Sequence, residues 1–198
     1  MDLTPLTLEG KRVRLEPLNP AHEQALVSAA ADGELWNSKV TTVPSESTAA
    51  AYIAAALGDQ SRGLALPFVI ISKALNTIVG STRFLHIAST HRRVEIGNTW
   101  LSASAQRTTI NTEAKLLLLS HAFEQWQCIR VELVTDVLNT ASRAAIVRLG
   151  AREEGVFRSH MLMPDGRHRD SVFHGIIASE WPEIKRQLCA RLRRENGG

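Results

Sequence analysis

The chain has 198 residues, of which 44% are hydrophobic and 22% charged, and its net charge is +3. These proportions suit one globular unit that can bury a core without staples, and they exclude wholesale disorder. The small positive excess hints at anionic partners and falls short of a nucleic-acid signature.

In chain order, Met1-Asp2-Leu3-Thr4-Pro5 lacks the basic-then-apolar order of a secretory leader. Val13-Arg14-Leu15-Glu16-Pro17 alternates apolar and polar residues and reads as the first strand. Asn19-Pro20 reads as a helix cap and a first-turn proline, opening a helix through Ala21–Ala31. Ser45 is the expected cap of a second, alanine-rich helix over Thr48–Leu57, with Gly58 as its stop. Leu66–Ser72 and Thr77–His86 read as two strands around the polar turn Lys73–Asn76, and Val94–Leu101 as a third. After the polar stretch Ser102–Asn111, Leu116, Leu119, Phe123 and Trp126 recur at helical spacing within Thr112–Gln127. Ile129–Asp136 is a strand, and Asn139–Leu149 a short helix stopped by Gly150. Glu153–Phe157 and Ser171–Ile177 are the closing strands, and Ser179 is the expected cap of a basic helix over residues 179–195.

Strands and helices thus alternate, giving a mixed α and β class. The short links make the first central strands antiparallel, whereas the helix Thr112–Gln127 allows the strand after it to run parallel to the strand before it. No repeat, linker or shift of composition divides the chain, so residues 1–198 are expected to form one domain. No stretch approaches the roughly 20 apolar residues of a membrane span. Cys128 and Cys189 lie too far apart for a disulfide framework or a metal quartet and read as inert reduced thiols, which points to the cytoplasm. His86, His160, His168 and His174 show no i,i+4 pair, so no metal site is expected.

The most informative segment runs from Glu95-Ile96-Gly97-Asn98-Thr99-Trp100-Leu101 through Ser102–Gln106 to Arg107-Thr108-Thr109-Ile110-Asn111-Thr112-Glu113. It is a strand, a polar loop and a helix start. A helix start offers unpaired amides and the positive end of the macrodipole, a seat for a pyrophosphate, and Arg107, Thr108, Thr109 and Thr112 add a charge and hydroxyls. Most helix starts bind nothing, and an ordinary capped helix with solvated threonines fits the same residues.

Four blocks of the chain resemble the GNAT acetyltransferase superfamily, and within it the ribosomal-protein N-terminal acetyltransferases. They are Leu8–Leu18, the segment Glu95–Asn111 with the helix after it, Asn139-Thr140-Ala141-Ser142, and Arg148-Leu149-Gly150-Ala151 with Glu153-Glu154-Gly155. The likeness spans residues 8–178. It implies a mostly antiparallel sheet of about seven strands with a parallel splayed pair and about four or five helices. It also implies acetyl-CoA or coenzyme A as co-substrate, with Trp100, Leu101, Gln106, Arg107, Thr108, Thr109, Ile110, Asn111, Thr112, Asn139 and Ser142 around it. The family loop carries glycines where this chain has Thr109 and Asn111; Thr109 is β-branched and resists positive φ, so the loop is expected to hold its amides with ordinary dihedrals.

The same resemblance implies direct attack of a primary amine, on a peptide N-terminus or a small molecule, upon the thioester. Glu95 is the expected base through water, and Ser142 the expected proton donor to the leaving thiolate. The Trp100 or Leu101 amide is expected to polarise the carbonyl, and Asn139 to bond the pantetheine arm. Solvated or capping roles are the plain alternatives for Glu95, Asn139 and Ser142. Trp36 and Asn37, between the first two helices, are the expected acceptor residues, with a core tryptophan as the alternative. Relatives of this kind commonly form homodimers. Two other functions fit the chain: a non-catalytic coenzyme A sensor, favoured by the missing glycines, and a ribosome- or RNA-associated protein, favoured by the basic segment 185–194.

Overall fold

A computed structural model of the protein describes residues 1–194. The chain forms β1 (Leu8–Glu9), β2 (Val13–Pro17), α1 (Glu23–Ala31), α2 (Ala49–Ser61), β3 (Leu66–Ser72), β4 (Thr77–Ala88) and β5 (Arg93–Leu101). It continues as α3 (Thr109–Ser120), β6 (Arg130–Asp136), α4 (Thr140–Arg148), β7 (Arg152–Leu162), β8 (His168–Ile177) and α5 (Trp181–Arg194). The strands make one sheet of eight in the order β1-β2-β3-β4-β5-β6-β8-β7. All neighbours are antiparallel except β5 and β6.

Alternation along the strands divides the core into two layers. Val94, Ile96, Val131, Leu133 and Ile176 pack with Leu118, Leu119, Phe123 and Trp126 of the α3 segment and with Ile184 and Leu188 of α5. On the other side Val69, Ile71 and Trp100 pack with Leu26 and Ala30 of α1 and Ile53 and Ala56 of α2. The end of the α3 segment, His121–Gln125, is wound as a π-helix. It sets Trp126 4.6 Å from Phe84 and Phe123 5.3 Å from Trp181. Glu113 of α3, itself buried, accepts from the Lys11 and Arg12 amides at 3.0 and 2.7 Å and pins the β1–β2 turn to the helix.

Several expected boundaries move. A short strand, Leu8–Glu9, precedes Val13–Pro17, which makes eight strands instead of about seven. The Asn19 cap forms, its side chain accepting from the Ala21 amide at 3.0 Å, but Pro20–His22 is a 3-10 turn and the α-helix proper begins at Glu23. Thr48, not Ser45, takes the N-cap position of α2, with the Ser45 amide donating to Thr48 Oγ1 at 2.8 Å. Gly58 does not stop this helix, because its neighbours continue the ladder to Ser61 and the left-handed turn falls on Gly63 (φ +71°). Gly150 (φ +101°) does end α4. The closing hairpin is longer than expected at both strands, and α5 is preceded by Glu180, not Ser179. Residue 195, the last of the expected basic helix, lies outside the described residues.

Candidate functional site

The parallel pair is joined only at its start. Arg93, Val94 and Glu95 of β5 lie opposite Arg130, Val131 and Glu132 of β6, and no pairing follows. From Ile96 onward β5 is bonded to β4 alone, so the sheet opens into a V. Both strands run toward its open end, and α3 and α4 begin there, each carrying the amides that a helix start leaves without intrahelical partners. Two helix N-termini therefore face one crevice between parallel strands.

At the first of these, α3 begins at Thr109, three residues earlier than the pattern of leucines indicates. Thr108 is its cap: the side chain accepts from the Ile110 amide at 3.3 Å and donates to the Ala105 carbonyl at 2.7 Å. Thr109, Ile110, Asn111 and Thr112 fill the first turn with helical backbone. The left-handed residue is Arg107, at φ +59°. This answers the missing glycines: the reversal that lets the amides face outward sits one residue before the cap, so Thr109 and Asn111 need no unusual dihedrals. Gln106 turns back, its Nε2 donating to the Leu101 carbonyl at 2.9 Å, and so closes the loop. Asp32, at the end of α1, accepts from the Ser104 amide at 3.0 Å and its hydroxyl at 2.5 Å, tying the loop to the opposite layer. Residues 106–112 include one arginine, hydroxyls and amides and no carboxylate, a set that fits a diphosphate.

At the second helix start Asn139 caps α4, its side chain accepting from the Ser142 amide at 3.0 Å. The Ser142 hydroxyl makes no hydrogen bond among the described residues. The capping role of Asn139 is realised, and the half-buried Ser142 keeps its hydroxyl uncommitted.

Glu95 is 8% exposed and sits where the V opens. A bulge flanks it on either side. The register between β4 and β5 steps from Leu85↔Glu95 to Ala88↔Arg93, leaving one extra residue on β4, and His86 takes φ +47°. That re-aims the imidazole, whose Nδ1 lies 2.8 Å from Glu95 Oε2. The hydrogen bond with Glu95 raises the pKa of His86 against the opposing effect of burial. The His86 side chain is 73% exposed, so it links the buried carboxylate to solvent. On the far side the register steps from Arg83↔Gly97 to Ser81↔Trp100, with one extra residue on β5, and Asn98 takes φ +47°. A Cβ at Gly97 would stand 2.8 Å from Glu95 Oε1 and 2.9 Å from Leu85 Cδ1, so a larger residue there would displace the carboxylate.

The second bulge turns Thr99 toward α3 and Trp100 toward α2. Thr99 Oγ1 accepts from Lys115 Nζ at 2.5 Å and shares a 2.7 Å hydrogen bond with Thr82 Oγ1. Burial lowers Lys115 from the ordinary 10.5 to about 7, with Glu95 pulling the other way. Trp100 Nε1 donates to the Tyr52 hydroxyl at 3.2 Å, and the Arg83 guanidinium carbon lies 4.6 Å from the centre of the Tyr52 ring. Trp36 and Asn37 form a short 3-10 turn after α1. Trp36 is 37% exposed and is not part of the core. Just after it, Arg167 from the β7–β8 turn donates to the Lys39 carbonyl at 3.1 Å and to buried Asp136 at 2.6 Å, drawing this loop toward the end of β6.

The structure brings Glu95, Trp100, Leu101 and residues 106–112 together along β5 and its exit, with Asn139 and Ser142 across the V. Trp36 and Asn37 follow α1 in a segment whose start is tied to the β5–α3 loop by Asp32 and whose end is held by Arg167. Sequence reasoning passed over His86, Lys115, Arg83 and Tyr52. A charged residue amid the leucines of an amphipathic helix marked Lys115; nothing local marked the bulge that recruits His86. Among the described residues no group of three or more His, Cys, Asp or Glu side chains could hold a metal, and no helix is long and apolar enough to cross a membrane. Cys128 is buried, which pushes its thiol up to about 11, and Cys189 is half-buried; both are free.

Known proteins share this arrangement. Residues 12–152 match the model of the acetyltransferase (GNAT) domain. A GCN5-related N-acetyltransferase from Brucella melitensis is 30% identical, with a TM-score of 0.84 over 94% of this chain and 85% of that one. RimJ of Mycobacterium smegmatis, solved in complex with CoA-disulfide, is 25% identical, with a TM-score of 0.82 over 96% of this chain and 97% of that one. YdaF of Bacillus subtilis, assigned as a ribosomal N-acetyltransferase, is 30% identical over 105 residues, which are 53% of this chain and 56% of that relative. The chain therefore spans only about half the length of that curated relative. With a parted parallel pair, two helix starts at its mouth and a family match across most of the sequence, the chain belongs to the GNAT acetyltransferases, a family that uses acetyl-CoA.

Proposed function

We propose that residues 1–198 act as one acetyl-CoA-dependent N-acetyltransferase unit, moving an acetyl group to the primary amine of a peptide N-terminus or a small molecule. The observation that supports this best is Glu95, a nearly buried carboxylate at the point where the parallel strands part, hydrogen-bonded to an exposed imidazole. The name of YdaF, a ribosomal N-acetyltransferase, favours an amine of a ribosomal component as the acceptor.

In this reading the α3 start holds the diphosphate. Amides of the first turn and the Arg107 guanidinium neutralise its charge, and Thr108, Thr109 and Thr112 add hydroxyl donors. Asn139 and Ser142 face the pantetheine arm from across the V. Bound acetyl-CoA supplies an activated acyl carbon with a thiolate leaving group. Glu95 takes the proton that the ammonium must lose before its nitrogen can attack, directly or through a water, and His86 passes that proton to solvent. The Trp100 or Leu101 amide, on the edge of β5 that β6 has left, polarises the acyl oxygen. Ser142 returns a proton to the departing sulfur.

Glu95→Gln removes the base while preserving shape. It is expected to lower kcat by about 10²–10⁴-fold, with coenzyme A affinity changed little. Thiol release over a panel of amines gives kcat, and calorimetry gives the affinity. Equal turnover in the two proteins rejects the base assignment, and no binding of coenzyme A at millimolar concentration rejects the enzyme. A sensor without catalysis is the second reading, resting on Thr109 and Asn111 in place of glycines; cofactor binding with no turnover on any amine would favour it.

A further inference from the structure

Arg83 lies on the central strand β4 and is 4% exposed. Its guanidinium carbon lies 4.6 Å from the centre of the Tyr52 ring. Its Nε is enclosed with no hydrogen-bond partner among the described residues. A buried guanidinium without a counter-ion is strongly unfavourable, and a ring face replaces only part of the hydration it loses. Such a group is commonly completed by something that binds.

Its position says where. Arg83 pairs with Gly97 on β5, and the Glu95 carboxylate leans over that same glycine, 2.8 Å from where a Cβ would stand. Adjacent strands lie about 5 Å apart, so the two side chains rise from one face of the sheet within about 8 Å of each other at their bases. They make no ion pair with each other. The Glu95 carboxylate is already engaged by His86. A second guanidinium, Arg169, also has an enclosed Nε with no partner and feels the charges of Asp136 and Glu95.

Resting on the acyl-transfer reading above, we propose that the acceptor carries a carboxylate close to its amine, and that Arg83 binds this carboxylate while Glu95 receives the ammonium. An α-amino acid, or a peptide whose second residue is acidic, carries its carboxylate within a few bonds of its amine and so presents both charges to neighbouring side chains. It disfavours polyamines: two unpaired guanidiniums repel a polycation, whereas a zwitterion or an anion offsets them. Tyr52 stacks under the guanidinium and holds its fork in place, so Arg83 is a specificity-determining residue, not a member of the proton path.

The test uses matched acceptors: L-alanine against L-alaninamide, Ala-Asp-amide against Ala-Asn-amide, and spermidine. Binding is measured by calorimetry with and without coenzyme A, and turnover by thiol release, in the wild type, Arg83→Gln and Arg83→Lys. The acid of at least one pair is expected to bind about tenfold or more tightly than its amide, as a hydrogen-bonded charge pair gives. The first pair reports a main-chain carboxylate and the second an acidic side chain. Arg83→Gln should abolish that preference through KM while kcat at saturation stays near the wild type, and Arg83→Lys should keep part of it. Folding of each variant is checked by coenzyme A affinity, which should not move. The proposal is overturned if the amides or spermidine bind as well as the acids, if Arg83→Gln keeps the preference, or if no acid binds while coenzyme A does. Failure of coenzyme A to bind, with acids still preferred, would instead remove the acyl-transfer reading and leave the anion site standing.

Discussion

Lys115 lies behind the crevice in the α3 layer, 2.5 Å from Thr99 Oγ1 at the β5 bulge. Burial disfavours the ammonium, so the folded chain releases this proton near pH 7, whereas the unfolded chain holds it up to about 10.5. Between those values the unfolded state binds the extra proton, and stability therefore rises with pH, by at most about 1.4 kcal/mol per pH unit. As pH falls from 10.5 toward 7 the stabilisation is lost. Chemical denaturation at intervals from pH 7 to 10 should show this slope, and Lys115→Met should flatten it. A slope of the same size in the variant would assign it to another group. His86 titrates in the opposite sense: the Glu95 hydrogen bond raises its pKa, so its contribution is full below its ordinary value and fades as pH rises through the raised one. Its largely exposed ring makes that contribution small.

At the scale of elements, the start of α3 combines a cap, a charge and a backbone reversal in three adjacent residues. Arg107 holds the reversal at φ +59°, a conformation that a non-glycine residue adopts at a cost of about 1 kcal/mol. Arg107→Gly therefore separates shape from charge. Glycine keeps the reversal and relieves that strain, so thermal stability should hold or rise slightly. Loss of the guanidinium should weaken coenzyme A binding by about tenfold, the worth of one charge-assisted hydrogen bond. Calorimetry and thermal melts on the same samples distinguish the two effects. Unchanged affinity would move the diphosphate away from this turn. The same element explains why the helix start is earlier than the leucine pattern implies. Thr109–Thr112 contribute little apolar surface, so periodicity cannot see a turn that exists through its cap and its hydrogen bonds.

On the scale of the whole molecule, the V is a partial split in a sheet whose two layers are packed separately. A ligand seated between β5 and β6 would bridge strands that share only three register pairs. Binding to the folded state alone adds about 2.7 kcal/mol when coenzyme A is at a hundredfold its Kd. For a chain of this size that should raise Tm by roughly 5–10 °C. A melt without any shift, at concentrations where calorimetry reports binding, would mean that the nucleotide sits outside the crevice.

Much of this architecture was legible before any coordinates. Alternation located the first strand, Asn139 and Gly150 marked true helix boundaries, Asn19 marked the 3-10 turn that leads into α1, and a crossover helix between two strands implied the parallel pair. These are local properties, fixed by side-chain period and by the few residues that satisfy or reverse the backbone at an element's end. The segment Glu95–Thr112 was also readable, because its chemistry is contiguous in the chain. What the sequence could not contain is the pair of bulges in β4 and β5, since an extra residue in one strand exists only relative to its partner. Those bulges bring His86 to Glu95 and turn Thr99 to Lys115 and Trp100 to Tyr52, while Arg83 stays buried beside the crevice with an Nε that has no hydrogen-bond partner among the described residues. The sequence alone determined the elements and the helix start that suits a diphosphate; tertiary pairing decided which charges surround the acceptor, because register and burial arise only when distant strands meet.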